Sequence, residues 1–159
     1  MNLPTEMLVS DLLTLSGREF APTPWLEITQ QRIDAFADCT DDHQFIHVDP
    51  VRAKRESPFG GPVAHGFLTL SLIAAHRPPD FPRLTDLQLT INYGLDRLRF
   101  LTPVPAGARV RLQTRVVSAE LRGAGRVLLK QEKALEIEGI AKPGYLAEQL
   151  TLFVAGTTP

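Results

Sequence analysis

The residues with chemical reach are concentrated in one stretch, Asp41-Asp42-His43-Gln44-Phe45-Ile46-His47-Val48-Asp49-Pro50. Three carboxylates and two imidazoles alternate here with Phe45, Ile46 and Val48. Exposed charge runs seldom carry such apolar side chains. The segment is therefore expected to fold back onto a core and leave polar groups in a half-buried cleft, where desolvation and neighbouring charges shift pKa values. An Asp and a His converging on one water can share general acid–base work. One takes the proton of the attacking water and the other delivers a proton where it is needed, for a gain of about a hundred- to ten-thousand-fold in rate. Asp42 and His47 are the expected pair.

A second feature is Gly60-Gly61-Pro62-Val63-Ala64-His65-Gly66, which leads into an apolar run. Gly66 has no side chain to block a ligand. Its N–H falls in the first turn of the expected helix, where donors lack intrahelical partners and the dipole is positive. A developing oxyanion would be stabilised there, at roughly 3 kcal/mol for one preorganised donor.

The elements that must position these groups can be read from periodicity. Leu8, Leu12, Leu13 and Leu15 suggest a short helix over 4–16. Trp25, Leu26 and Ile28 suggest a strand. Thr29 is a good N-cap for a helix to about Asp38, with Ile33, Phe36 and Ala37 on one face. Residues 39–62, rich in turn formers, read as a long irregular excursion of the kind that is often functional. A helix from about Ala64 to His76 is apolar nearly all round and is expected inside the core; Pro78 and Pro79 stop it. Strands follow: one through Leu87, Leu89, Ile91 and Tyr93, one through Val110, Leu112, Thr114 and Val116, one over 126–138 and one over 145–155. This order predicts an α+β domain in which an antiparallel sheet carries one buried helix. Exposed sheet edges invite pairing, which predicts a homodimer.

With these residues in place, a resemblance becomes specific. Asp42, Ile46 and His47 resemble the hydratase-2 motif of MaoC-like proteins, usually written G-D-x-N-P-[LIV]-H. The run Pro62-Val63-Ala64-His65-Gly66-Phe67-Leu68-Thr69-Leu70-Ser71-Leu72 resembles the central helix of that family. Asn92-Tyr93-Gly94 and Arg97-Leu98-Arg99-Phe100 resemble its next strand. The match covers about residues 25 to 155 and is closest to the short, single-domain NodN-like branch. The resemblance implies a hot-dog fold over one domain, 1–159, working as a dimer. It implies reversible hydration of trans-2-enoyl-CoA to (R)-3-hydroxyacyl-CoA, in fatty acid metabolism, without metal or organic cofactor. Asp42 and His47 would be the catalytic pair and Gly66 the main-chain donor to the thioester carbonyl. His65, Asn92 and Phe67 are further candidates for contacting substrate. Two departures stand out: Asp41 replaces the motif's glycine, and Gln44-Phe45 replaces Asn-Pro.

The bulk properties are those of an ordinary globular protein. The chain has 159 residues, enough for one sizeable core. Hydrophobic content is 43% and charged content 22%, which argues against global disorder. A net charge of -1 makes nucleic acid a poor partner. The longest apolar run, in Phe67–Ala75, is too short to span a bilayer. The single cysteine, Cys39, allows no intrachain disulfide. With no basic residue in Met1–Ser10, a cytoplasmic location without membrane attachment is expected.

Other readings use the same residues. Asp42 and His47 could be a structural pair. Asp42, His43, His47 and Asp49 could ligate a metal, but the segment lacks a clear helical face. Arg97 and Arg99 could meet coenzyme A phosphates or simply form the solvent face of a strand. Cys39 has no evident base to make it a nucleophile. As rival functions, a hot-dog thioesterase would direct water at the thioester carbonyl and release thiol. A non-catalytic acyl-CoA-binding module would bind without turnover.

Overall fold

The computed structural model describes residues 3–156. Four long strands make the scaffold: β5 (Leu87–Phe100), β6 (Arg109–Leu121), β7 (Arg126–Ile137) and β8 (Tyr145–Ala155). They form an antiparallel sheet in the order β6-β7-β8-β5. The short strands β2 (Glu19–Phe20) and β3 (Leu26–Glu27) both pair with β6 on its outer edge. A separate two-stranded ribbon joins β1 (Glu6–Met7) to β4 (Arg83–Leu84) in parallel.

Alternation decides which face is buried. In β6, Val110, Leu112, Thr114 and Val116 point inward; in β7, Val127, Leu129, Gln131, Lys133, Leu135 and Ile137 do so; in β8, Ala147, Gln149, Thr151 and Phe153 do so. The other face carries a lattice of ion pairs, among them Arg111–Glu136 and Arg115–Glu132.

The inner face holds two apolar clusters. One joins Ala64, Leu68, Leu72 and Ile73 to Leu112, Leu135, Tyr145 and Ala147. The other joins Val9, Leu12, Leu15 and Phe20 to Val116, Leu129 and Phe153. Between them runs a band of buried polar residues, Thr114, Gln131, Lys133, Gln149 and Thr151.

The helices depart from expectation in instructive ways. α1 (Gln30–Thr40) starts as expected, with the Thr29 hydroxyl accepting from the Arg32 N–H, and runs two residues further than predicted. The excursion after it is not irregular throughout. It contains α2 (Phe45–Val48) and α3 (Pro50–Glu56). Asp49 caps α3 by accepting from the Arg52 N–H, with Pro50 at its first position, where the missing N–H costs nothing.

The central helix is shorter than its apolar run. α4 spans Gly66–Ser71 and tightens into a 3₁₀ turn over Leu72–Ala74. Nor is it buried all round: Phe67 is 68% exposed. The predicted N-terminal helix is instead strand β1 followed by a 3₁₀ helix over Val9–Leu15. Its Val9, Leu12 and Leu15 are buried, so the three-residue spacing reflects 3₁₀ rather than α periodicity.

Candidate active site

The site is built where α1 ends, α2 begins and α4 starts. α1 stops because Asp41 turns left-handed, at φ 58° and ψ 17°. Glycine fits that conformation without strain, and Asp is among the few other residues that tolerate it. The glycine of the family motif thus has a backbone reason, and Asp41 fills the same conformation.

His47, on α2, is 8% exposed. Its Nδ1 lies 2.6 Å from the Val63 carbonyl oxygen. A carbonyl can only accept, so Nδ1 carries the proton and Nε2 is bare. The strand-like segment before α4 is tied to α2 a second time, since the Val63 N–H donates to the Ile46 carbonyl at 2.9 Å. Gln30 of α1 donates to the His47 carbonyl at 2.7 Å. Burial lowers the His47 pKa most strongly; His65 lowers it further, while the Val63 bond and Asp42 raise it, for a net downward shift. The ring is therefore neutral at pH 7, with a lone pair available.

His65 is 3% exposed and stacks on His47, with ring centroids 3.8 Å apart and planes at 26°. Its Nε2 lies 2.9 Å from the Asp42 main-chain carbonyl oxygen. By the same logic Nε2 donates, and the buried Nδ1 is bare, with no hydrogen-bond partner among the described residues. One imidazole thus packs the catalytic candidate and holds the backbone of its acidic neighbour. Phe36 of α1 closes the far side, 5.0 Å from the His65 ring.

Side-chain ligand atoms of Asp42, His47 and His65 all lie within 4.8 Å of one another. No direct hydrogen bond joins the Asp42 carboxylate to His47. A water bonded to both at ordinary lengths permits separations up to about 5.6 Å, so the spacing suits a shared water. Asp42 is exposed, as a group that meets an incoming reactant must be. The same trio is the candidate metal set among the described residues. However, stacked rings hold their lone pairs in nearly parallel planes and converge poorly on a tetrahedral ion.

A cavity of about 300 Å³ opens beside His47, lined by Ile46, Phe59, Val63, Gly66, Thr69, Phe100 and Gly144 among others. Gly66 is the first residue of α4. A Cβ added there would sit 3.0 Å from the Phe100 ring, so only glycine leaves both the ring and the main-chain N–H in place. Sequence reasoning missed Gln30, Phe36 and the Val63 carbonyl. None has a linear signal, because each acts through a contact between separate elements.

The remaining candidates lie elsewhere. Asn92 faces the C-terminal end of the central helix, where its Oδ1 accepts from Gln149 at 3.4 Å. Phe67 packs edge-on against Phe100, outside the cavity lining. His43 pairs with Asp38 at 3.7 Å on the surface, and Cys39 is exposed. Arg97 and Arg99 line a larger groove of about 640 Å³ together with Glu132 and Glu148, on the outer face of the sheet.

Comparison with known proteins places this chain in a family. The MaoC like domain model matches residues 12–136. Nodulation protein N of Rhizobium leguminosarum bv. viciae is 43% identical over 147 residues, covering 92% of this chain and 91% of that protein. The 3-hydroxyacyl-thioester dehydratase Z of Mycobacterium tuberculosis is 42% identical over 147 residues, covering 92% and 96%. The crystal structure of the MaoC-like dehydratase from Rhodospirillum rubrum superposes with a TM-score of 0.73 at 20% identity, covering 96% and 99% of the two chains. The fold is thus the hot-dog fold, an antiparallel sheet wrapped around a central helix. No helix among the described residues is long and apolar enough to cross a membrane. The chain belongs to the MaoC-like dehydratase family.

Proposed function

We propose that this protein is an (R)-specific enoyl-CoA hydratase, a reversible lyase in which Asp42 and His47 work on one water. The observation that carries this reading is a buried His47 with its Nε2 bare and a ring nitrogen within 4.8 Å of the Asp42 carboxylate, at the wall of a cavity that Gly66 also lines. In the hydration direction the pair binds water. His47 Nε2 accepts a proton as the water oxygen bonds to C3 of a trans-2-enoyl thioester. Electron density moves to the thioester oxygen, where the Gly66 N–H donates. A proton returned from the pair to C2 completes (R)-3-hydroxyacyl-CoA. The relative named 3-hydroxyacyl-thioester dehydratase supports the reaction class.

The chain acts as one domain over 1–159, since a single sheet carries both apolar clusters. It pairs as a homodimer through the face where Phe67, Leu89, Ile91, Tyr93 and Leu95 are exposed along α4 and β5. An apolar edge strand of this length needs a cover. The lone exposed Cys39 suits the reducing cytoplasm.

The test follows loss of enoyl-thioester absorbance with crotonyl-CoA and a medium-chain enoyl-CoA, for the wild type, Asp42→Asn and His47→Ala. Wild-type turnover to an (R)-3-hydroxy product, with losses of about a hundred-fold or more in both folded variants, is expected. A wild type inactive on both chains refutes the hydratase, and thiol release without hydroxyacyl product would identify a thioesterase.

A further inference from the structure

The buried polar band across the sheet encloses a cation with no carboxylate beside it among the described residues. Lys133 is 4% exposed, and its ammonium donates to the Thr114 hydroxyl at 3.0 Å. An ammonium has three N–H donors, so two remain for a ligand. Lys133 lines a small cavity of about 40 Å³ with His76, Arg77, Thr90, Asn92, Gln131, Gln149 and Thr151 on its polar side. No Asp or Glu lines it. Arg77 donates to the Thr90 hydroxyl at 3.2 Å and has no carboxylate partner among the described residues. Two cations, two glutamines and an asparagine at the end of an enzyme's interior form an environment for an anion. Burial first, and Arg77 second, push the Lys133 pKa down to about 8.

Position says which anion. The 3₁₀ turn that ends the central helix contributes Ile73 and Ala74 to this cavity. The same two residues, with Leu70, Ser71, Asn92, Leu95 and Gln149, line an adjoining space of about 230 Å³. The helix therefore runs from Gly66, at the catalytic candidates, to the polar cavity. Eight residue steps at α and 3₁₀ rises cover about 12–14 Å. A thioester held at Gly66 with its acyl chain along the helix would bring the far end of the chain to Lys133. A water needs about 10–15 Å³ on the same measure, so the 40 Å³ space accepts a group about the size of a carboxylate.

We propose that Lys133 and Arg77 form a receptor for a carboxylate at the far end of the acyl chain, so that the preferred substrates are ω-carboxyl enoyl thioesters rather than plain alkyl ones. This rests on the hydratase reading for the position of the thioester. The ammonium and guanidinium supply charge-assisted hydrogen bonds, and Gln131 and Gln149 fill the remaining lone pairs. An alkyl terminus there would leave Lys133 buried and unpaired, a cost that discriminates against it.

The experiment compares trans-2-enoyl-CoA pairs of equal length, methyl-ended and carboxyl-ended, spanning the roughly 12–14 Å of the helix. The expected result is a kcat/KM ratio favouring the carboxyl-ended member at least tenfold at one or more lengths. In Lys133→Met and Arg77→Gln that ratio falls at least tenfold. Arg77 is exposed, so its variant keeps the test available if the buried substitution fails to fold. A wild-type preference for methyl ends at every length, or equal losses on both members of a pair, overturns the proposal. Titration calorimetry with the saturated adipyl-CoA and hexanoyl-CoA reads the receptor apart from chemistry. If the protein hydrates nothing, tighter adipyl binding that is lost in Lys133→Met keeps the receptor while the hydratase falls. Equal binding of the two in the wild type rejects the receptor.

Discussion

Replacing Lys133 by Met removes a buried ammonium and leaves an unbranched chain of similar reach. The folded protein holds the Lys133 pKa near 8, against 10.5 for the free side chain, through burial first and Arg77 second. At 1.36 kcal/mol per unit, the charged form costs the fold about 3 kcal/mol at neutral pH. The folded pKa is the lower one. Between pH 8 and 10.5 the unfolded chain binds a proton that the folded chain lacks, so wild-type stability from this group rises with pH through that window. Below pH 8 the penalty is present in full. Met removes the penalty and the bond to Thr114, which offsets about 1 kcal/mol. The net gain is about 2 kcal/mol, or a rise in Tm of about 4–8 °C for a chain of this size. Urea denaturation of ligand-free wild type and Lys133→Met at pH 7 and pH 10 measures both effects. The variant should be the more stable at pH 7, and the gap should narrow by pH 10. A variant less stable at pH 7, or a gap independent of pH, refutes the claim that this ammonium is buried without compensation.

Burial first of all lowers the His47 pKa below the ordinary imidazole value of 6.5. The acid limb of the kcat/KM profile for hydration should therefore have its midpoint below pH 6.5; a midpoint above 6.5 contradicts the assignment. The same shift adds stability that is present above pH 6.5 and lost as pH falls through the folded value. Gly66→Ala should lower kcat/KM about tenfold, because its Cβ meets the Phe100 ring at 3.0 Å. Phe100→Leu in the same protein should restore part of it, and full activity in Gly66→Ala alone would sink the close-packing argument. At Asp41, the φ of 58° predicts that Asp41→Val costs about 1–2 kcal/mol in thermal or chemical unfolding. Asp41→Gly should stay within about 1 kcal/mol of wild type and remain active. Inactivity of the glycine variant would instead give the Asp41 carboxylate a part in the chemistry.

Much of the site could be read along the chain. Asp42 and His47 are joined by a five-residue step, and Gly66 opens a helix that follows a glycine-rich turn. Such local signals survive folding because neighbours in sequence remain neighbours in space. Apolar periodicity located β7 and β8 to within a residue, α1 to within two, and the starts of β5 and β6, which run on to Phe100 and Leu121. It failed where two patterns overlap. The run after Gly66 is apolar all round, yet Phe67 points outward, because an apolar face can be reserved for something outside the chain. The turn formers of 39–62 concealed α2 and α3, since Asp49 and Pro50 serve as a cap and first helical turn as readily as a loop.

The identity and spacing of the reacting groups, and the order of the elements that carry them, are written along the chain. Their chemical states arise only on folding. The His47 tautomer depends on the Val63 carbonyl, sixteen residues away, and Asp42 is held by His65, twenty-three residues away. Lys133 lies on the inward face of β7 with Val127, Gln131 and Leu135, a placement that the sequence analysis did not draw out. Its meaning needed strand register, which sets Thr114 opposite Lys133 and Gln131 opposite Gln149. Hydrogen bonds and desolvation act over a few ångströms in space, so a polar band assembled from three distant strands exists only once the sheet has closed.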